Sequence, residues 1–211
     1  MTISCSGESL ILDKDRAIYW EAKKMLIISD LHLGKSAHFR RSGIQVPSTV
    51  GQTDLDKLTV LLEKYDTEVL LITGDMFHNK MNSDIDDFAI WRKNHSSLKV
   101  ELIKGNHDDL GSENYEELNI GLHPKEMLSF PFRFIHDKPK TFDEYYNICG
   151  HIHPGVTIYG KARQSLKLPC FYFSKTCAIL PAFSVFTGLS IIRPQEEDRF
   201  YAITPNEVIA V

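Results

Sequence analysis

The chain has 211 residues, 43% apolar and 25% charged, close to an average soluble domain. That length predicts one domain over residues 1–211 with a core large enough to need no staples, and no apolar run reaches the roughly 18 residues of a membrane span. A net charge of −4 excludes a protein that coats nucleic acid by bulk charge. A phosphate-rich ligand must be held locally, by metals or a small basic cluster.

The opening stretch MTISCSGESLILDKD has no basic region followed by a long apolar run. It predicts no secretion signal, which makes a cytoplasmic location the expectation. Residues 9–12 and 17–20 are short apolar runs around Asp13-Lys14-Asp15, a hairpin signal. Residues 25–29 form a continuous apolar run, as in a strand buried on both faces. Leu55, Leu58, Leu61 and Leu62 repeat at helical spacing within 53–65. A second buried strand covers 68–73, and a helix covers 83–96 with Ser83 and Asp86 as its capping pair. A third strand covers 99–103. This strand-helix-strand-helix-strand order favours parallel pairing through helical crossovers.

After about residue 120 the helical patterns stop. Residues 127–130, 132–136, 145–149, 170–173, 178–180, 189–192 and 200–203 read as strands. They predict a second mixed sheet packed on the first, in the α/β class. The cysteines at 5, 149, 170 and 177 form no Cys-x-x-Cys pair and are expected as free, mostly buried thiols.

Polar residues follow each apolar run. Asp30-Leu31-His32 closes the first, Gly74-Asp75 the second and Gly105-Asn106-His107-Asp108 the third. His136 follows Phe134-Ile135, and Gly150-His151-Ile152-His153 follows 145–149. Ligand sites of parallel α/β sheets lie beyond the carboxyl ends of strands. If the chain is extended there, residues two apart face one side, so Asp30 with His32, and His151 with His153, can each reach one ion. Asp75 has two oxygens and can bridge two ions; Asn106 adds a neutral oxygen. Mixed imidazole and oxygen donors suit Mn²⁺, Fe or Zn²⁺ rather than Ca²⁺ or copper.

This ordered set resembles the calcineurin-like metallophosphoesterase superfamily, with every motif present between residues 30 and 153. The resemblance implies two packed β-sheets flanked by helices and two divalent ions. It implies that the first ion takes Asp30, His32, Asp75 and His153, and the second Asp75, Asn106, His136 and His151. It also implies that His107 contacts the phosphate and assists the leaving group. Asp108 either orients a neighbour or is a structural turn carboxylate.

Many phosphatases of this superfamily carry an Asp three residues beyond the bridging one, where this chain has His78. Together with Asp30-Leu31-His32-Leu33-Gly34, the run Gly74-Asp75-Met76-Phe77-His78 resembles the branch of double-strand-break-repair nucleases. His78 then acts on the substrate, orients His107, or only hydrogen-bonds behind it. Asp30-Leu31-His32-Leu33-Gly34-Lys35, the stretch 39–47 and the stretch from Leu168-Pro169-Cys170 through Leu180-Pro181-Ala182-Phe183 resemble bacterial ligase-associated metallophosphoesterases. That group implies a DNA-damage-response endonuclease with DNA ligase and helicase as partners.

Lys35, His38, Arg40 and Arg41 are candidates to hold phosphates, as are Lys161, Arg163 and Lys167; the alternative is solvated charged loops. Phe39 either stacks on a base or packs. His95, His123, Trp91 and Cys149 are expected to be structural. The leading expectation is a metal-dependent phosphodiesterase acting on DNA. A small-molecule phosphodiesterase or a nucleotide or pyrophosphate hydrolase is the alternative, and a non-catalytic scaffold is a third reading. The 27 residues between Asp108 and His136 leave little room for a lid and favour an open site.

Overall fold

The computed structural model describes residues 1–35, 43, 50–78, 83–139, 143–160 and 164–211, excluding the side chain of Ser83. Its framework is two mixed β-sheets. The first runs in chain order: β1 (Thr2–Cys5), β2 (Glu8–Asp13), β3 (Ala17–Trp20), β4 (Met25–Ile28), β5 (Val69–Ile72), β6 (Lys99–Ile103) and β7 (Ile120–His123). Neighbours from β1 to β4 are antiparallel and those from β4 to β7 parallel. Parallel neighbours need crossovers. These contain α1 (Val50–Lys64), α2 (Ser83–Asn94) and the short α3 (Ser112–Glu117).

The second sheet holds β8 (Glu126–Ser129), β9 (Phe132–Ile135), β10 (Tyr146–Cys149), β11 (Pro154–Tyr159), β12 (Ser165–Phe173), β13 (Cys177–Ile179), β14 (Ser190–Ile191), β15 (Arg199–Ile203) and β16 (Val208–Ala210). Their order is β14-β11-β12-β13-β10-β9-β8, with β15 also on β12 and β16 on β15. Here β9, β10 and β13 are mutually parallel neighbours.

The period of two along β4 explains its unbroken apolar run. Met25 and Ile27 face the second sheet, packing with Trp20, Phe132, Phe134, Phe171 and Phe173. Leu26 and Ile28 face the helices, packing with Leu55, Leu58, Phe88 and Trp91. Trp20 meets Phe132 edge-on at 4.9 Å, joining the sheets. All three described α-helices contribute to the cluster on the first sheet's outer face. The second sheet's far side has its own cluster around Cys149, Cys170, Tyr172, Ile179 and Phe200. All four cysteines are free and buried. Among the described residues no helix is long and apolar enough to cross a membrane.

Candidate metal centre

Five strand ends converge. Asp30 follows β4, Asp75 follows β5 and Asn106 follows β6; His136 follows β9 and His151 follows β10. Backbone bonds bind the first two loops together: Asp30 N donates to Gly74 O (3.1 Å), His32 N to Asp75 O and Leu33 N to Met76 O (both 2.9 Å). Leu31, Leu33, Met76 and Phe77 are buried in the helix-side core. These apolar residues hold the loops from behind, leaving the polar residues between them to face the site.

The backbone is not extended there, which corrects the expected i, i+2 alignment. Asp30, His32, Asp75, His151 and His153 all have positive φ, between 50° and 66°. This left-handed conformation costs an L-residue about 1–3 kcal/mol and persists where its surroundings enforce it. Asp, Asn and His tolerate it best. Asp30 and His32 do converge, through left-handed turns rather than a strand, whereas His151 and His153 part: His153 joins Asp30 and His32, and His151 joins Asp75 and His136, which corrects the expectation that this pair reaches one ion.

Two donor groups result. In one, Asp30, His32 and His153 gather, with His153 Nε2 3.2 Å and His32 Nε2 4.0 Å from Asp30 Oδ1. Asp30 Oδ2 is occupied, accepting from Ser29 Oγ (2.5 Å) and from His151 N (3.1 Å). Asp30 Oδ1 and both ring nitrogens of the buried His32 make no hydrogen bond among the described residues. Unpaired buried polar atoms are costly, and a cation would satisfy them.

In the other, Asp75, His136 and His151 gather. His136 Nδ1 donates to Thr73 O (2.9 Å), so its Nε2 keeps a lone pair. That Nε2 lies 3.1 Å from both His151 Nδ1 and Asn106 Oδ1, and 3.5 Å from Asp75 Oδ1. Such convergence of lone pairs on a carboxylate fits a divalent ion.

The electrostatics match. Burial, with Lys35 and the neighbouring imidazoles, pushes His32 down to about 3, so it stays neutral. Burial alone would raise Asp30, but His153, Ser29 and His32 outweigh it and hold the carboxyl low. Lys35 is half-buried; burial lowers its pKa against the pull of Asp30 and Asp75.

Asp108 is buried and accepts from Phe77 N and, within its own turn, from Gly105 N, each at 2.9 Å, tying two ligand loops together. Burial raises it to about 6. His107 donates its backbone N–H to Asp75 Oδ1 (2.9 Å). Its ring lies 5.5 Å from that of His32 and 4.7 Å from that of His78, so the three imidazoles line one rim. Two motif glycines permit close approach. A Cβ on Gly74 (φ 97°) would lie 2.0 Å from His136 Nδ1, and one on Gly150 would lie 1.6 Å from Ser29 Oγ.

His38, Phe39, Arg40, Arg41, Lys161 and Arg163 lie outside the described residues, as does the side chain of the expected cap Ser83. His95 stacks on Trp91 and His123 pairs with Glu101, both structural contacts. Sequence reasoning missed Ser29, whose hydroxyl donates to Asp30 Oδ2 and whose signal was a hydroxyl closing the apolar run, and it missed the backbone carbonyl of Thr73, which accepts from His136 Nδ1 and leaves no side-chain signal. It also missed Asp137, whose Oδ1 is 3.6 Å from His151 Nε2.

Residues 23–191 match the family model for the calcineurin-like phosphoesterases. The crystal structure of the Pseudomonas putida nuclease MPE is similar, with a TM-score of 0.84 and 32% identity, covering 100% of this chain and 99% of that one. Slighter likenesses are to a protein of unknown function, AQ665, from Aquifex aeolicus (TM-score 0.42, 18% identity, 65% of this chain and 81% of that one) and to the phosphoesterase Yfce from E. coli (0.47, 12%, 89% and 97%). No curated protein matches. The span of the family match, with 32% identity to a nuclease along the whole chain, assigns this protein to the calcineurin-like phosphoesterase family of metal-dependent hydrolases.

Proposed function

We propose that the chain is a dinuclear-metal phosphodiesterase that cleaves DNA as an endonuclease. The observation that carries this is the pair of donor groups built from Asp30, His32 and His153 and from Asp75, His136 and His151. By the family resemblance Asp75 would serve both ions and Asn106 would complete the second set. Mixed imidazole and oxygen donors suit Mn²⁺, Fe or Zn²⁺, and Mn²⁺ is taken as the first candidate. Divalent ions held by these residues would supply a water made nucleophilic near neutral pH and positive charge to offset that developing on the phosphoryl group.

The chain's own residues supply the rest. Ser29, Thr73 and Asp108 fix the ligands in place. His107, on the rim, gives a proton to the departing oxygen. His78 stands beside it to orient it or to meet the substrate. Lys35 faces the carboxylates and holds a phosphate oxygen. DNA as substrate is supported by the likeness to the Pseudomonas putida nuclease. The short Asp108–His136 connection, whose described helix has six residues, leaves room for a polymer. The repair setting, and DNA ligase and helicase as partners, rest on the sequence resemblance.

The test is a panel of single-stranded DNA, duplex DNA, nucleotides and cyclic nucleotides, each supplied with Mn²⁺ to wild type and to Asp75→Asn. Wild type should cleave DNA internally and the variant should be inactive while folded. Turnover of a nucleotide with no cleavage of any DNA would reject the DNA reading. Equal activity of the variant would reject the two-ion reading.

A further inference from the structure

The acidic residues are unevenly spread. Residues 145–195 contain no Asp or Glu, although the whole chain has 28. The same segment carries Lys161, Arg163, Lys167, Lys175 and Arg193, a formal charge of +5 in a chain whose total is −4. Its described residues build one wall of the metal centre; Lys161 and Arg163 lie outside them, and Lys175 precedes β13 at the end of the sheet away from His151. The segment enters through β10, supplies His151 and His153, runs out along β11, returns along β12 and ends beyond β14. The wall is tied to the centre twice: Ser190 N donates to His153 O (2.9 Å) and Phe183 N to Ser29 O (2.7 Å).

The β11–β12 hairpin leads directly away from a candidate ligand. β11 begins at Pro154, next to His153, and reaches Tyr159 five residues on, roughly 17 Å in an extended strand. Thr157 stands opposite Lys167, and Tyr159 opposite Ser165. Directly opposed residues share a face of the pleat, so these four project together. Val156, Ile158 and Leu168 turn the other way, into the second sheet's outer cluster. Tyr159 is 80% exposed. Lys167 is exposed and has no carboxylate partner among the described residues. An aromatic ring and an unneutralised cation therefore share one outward face, on a strand that starts at the metal centre.

We propose that this face of the β11–β12 hairpin is a track for single-stranded nucleic acid entering the metal centre, with Tyr159 stacking on a base and Lys167 neutralising a phosphate. The inference rests on the phosphodiesterase reading above and names the form of its substrate. Stacking needs an unpaired base, which selects a single strand over a duplex, and a cationic face with an interleaved aromatic is how such strands are bound without sequence preference. A second copy is the poorer occupant, because a two-fold contact would set this acid-free wall against itself.

The experiment uses the Mn²⁺-loaded full chain and a fluorescein-labelled, cleavage-resistant phosphorothioate oligo-dT, with anisotropy read over a salt series. Tyr159→Ala should weaken binding about tenfold. Lys167→Ala should reduce the log-log salt slope by about 0.7. Both variants should melt at the wild-type temperature, and a duplex should respond less to Tyr159→Ala. Wild type that cleaves DNA, alongside variants that bind like it, overturns the track and leaves the nuclease reading standing. Wild type that neither binds nor cleaves DNA overturns both. A wild-type dimer that Tyr159→Ala converts to monomer assigns the face to a second copy and overturns the track.

Discussion

His32 is buried, neutral and without a hydrogen-bond donor or acceptor for either ring nitrogen among the described residues. Such a residue is a burden in a protein that binds nothing and an asset in one that binds a cation, since a neutral imidazole offers its lone pair without first losing a proton. The positive φ values of five candidate ligands have the same character: local strain at the point of function, backed at Asp30, His32 and Asp75 by the buried Leu31, Leu33, Met76 and Phe77. His107 differs, because its ring belongs to neither donor group. His107→Ala should lower kcat about 10²–10⁴-fold while leaving Mn²⁺ affinity, measured by calorimetry, within about twofold of wild type. Equal loss of both would make it a ligand. The donor residues were legible in the sequence because each stands next to an apolar run. Their backbone conformation was not, because φ depends on the neighbouring loop that holds it.

At the scale of elements, the strands buried on both faces were readable, since β4, β5 and β6 are short apolar runs ended by motif residues. The missed elements were β1, β7, β11, β16, α3 and a 3-10 turn at Glu21–Lys23, each of six residues or fewer, and β12, expected over 170–173, spans Ser165–Phe173. β11 opens with Pro154-Gly155, which reads as a turn; the proline is tolerated as the first residue of the strand. The helix over 53–65 starts earlier, at Val50, because Gly51 and Gln52 carry no apolar periodicity.

A polar clasp joins the end of α1 to the β2–β3 hairpin: Asp13 Oδ2 accepts from Lys64 Nζ (2.6 Å) and from Tyr65 OH (2.5 Å). Burial would raise the Asp13 carboxyl, but Lys64, Tyr65 and the backbone N–H of Asp15 together hold it below its usual value. A carboxyl lowered on folding stabilises above its unfolded pKa of about 4 and loses that contribution as pH falls through its folded value. Chemical denaturation of wild type and Asp13→Asn should therefore differ near neutral pH and converge as pH falls below about 4. A stability difference independent of pH would show that the clasp acts by hydrogen bonding rather than charge.

Over the whole molecule, the metal centre lies where the carboxyl ends of two sheets meet, and its donors come from both. Bound ions should then hold the sheets together. Mn²⁺ at about 100 times its Kd should stabilise the chain by about 2.7 kcal/mol for each independent site. The readout is the thermal midpoint, which should rise with Mn²⁺ and return to the metal-free value with chelator; a midpoint indifferent to both would argue against ions at the junction. The sequence by itself determined the donor residues, their order and the strands that carry them, because burial pattern and ligand chemistry are properties of short segments. Only the tertiary structure decided how the donors divide into two groups, which backbone turns aim them and what Ser29, Thr73 and Asp108 do. Those depend on distances between segments as far apart as Asp30 and His151, and no local pattern encodes a distance across two sheets.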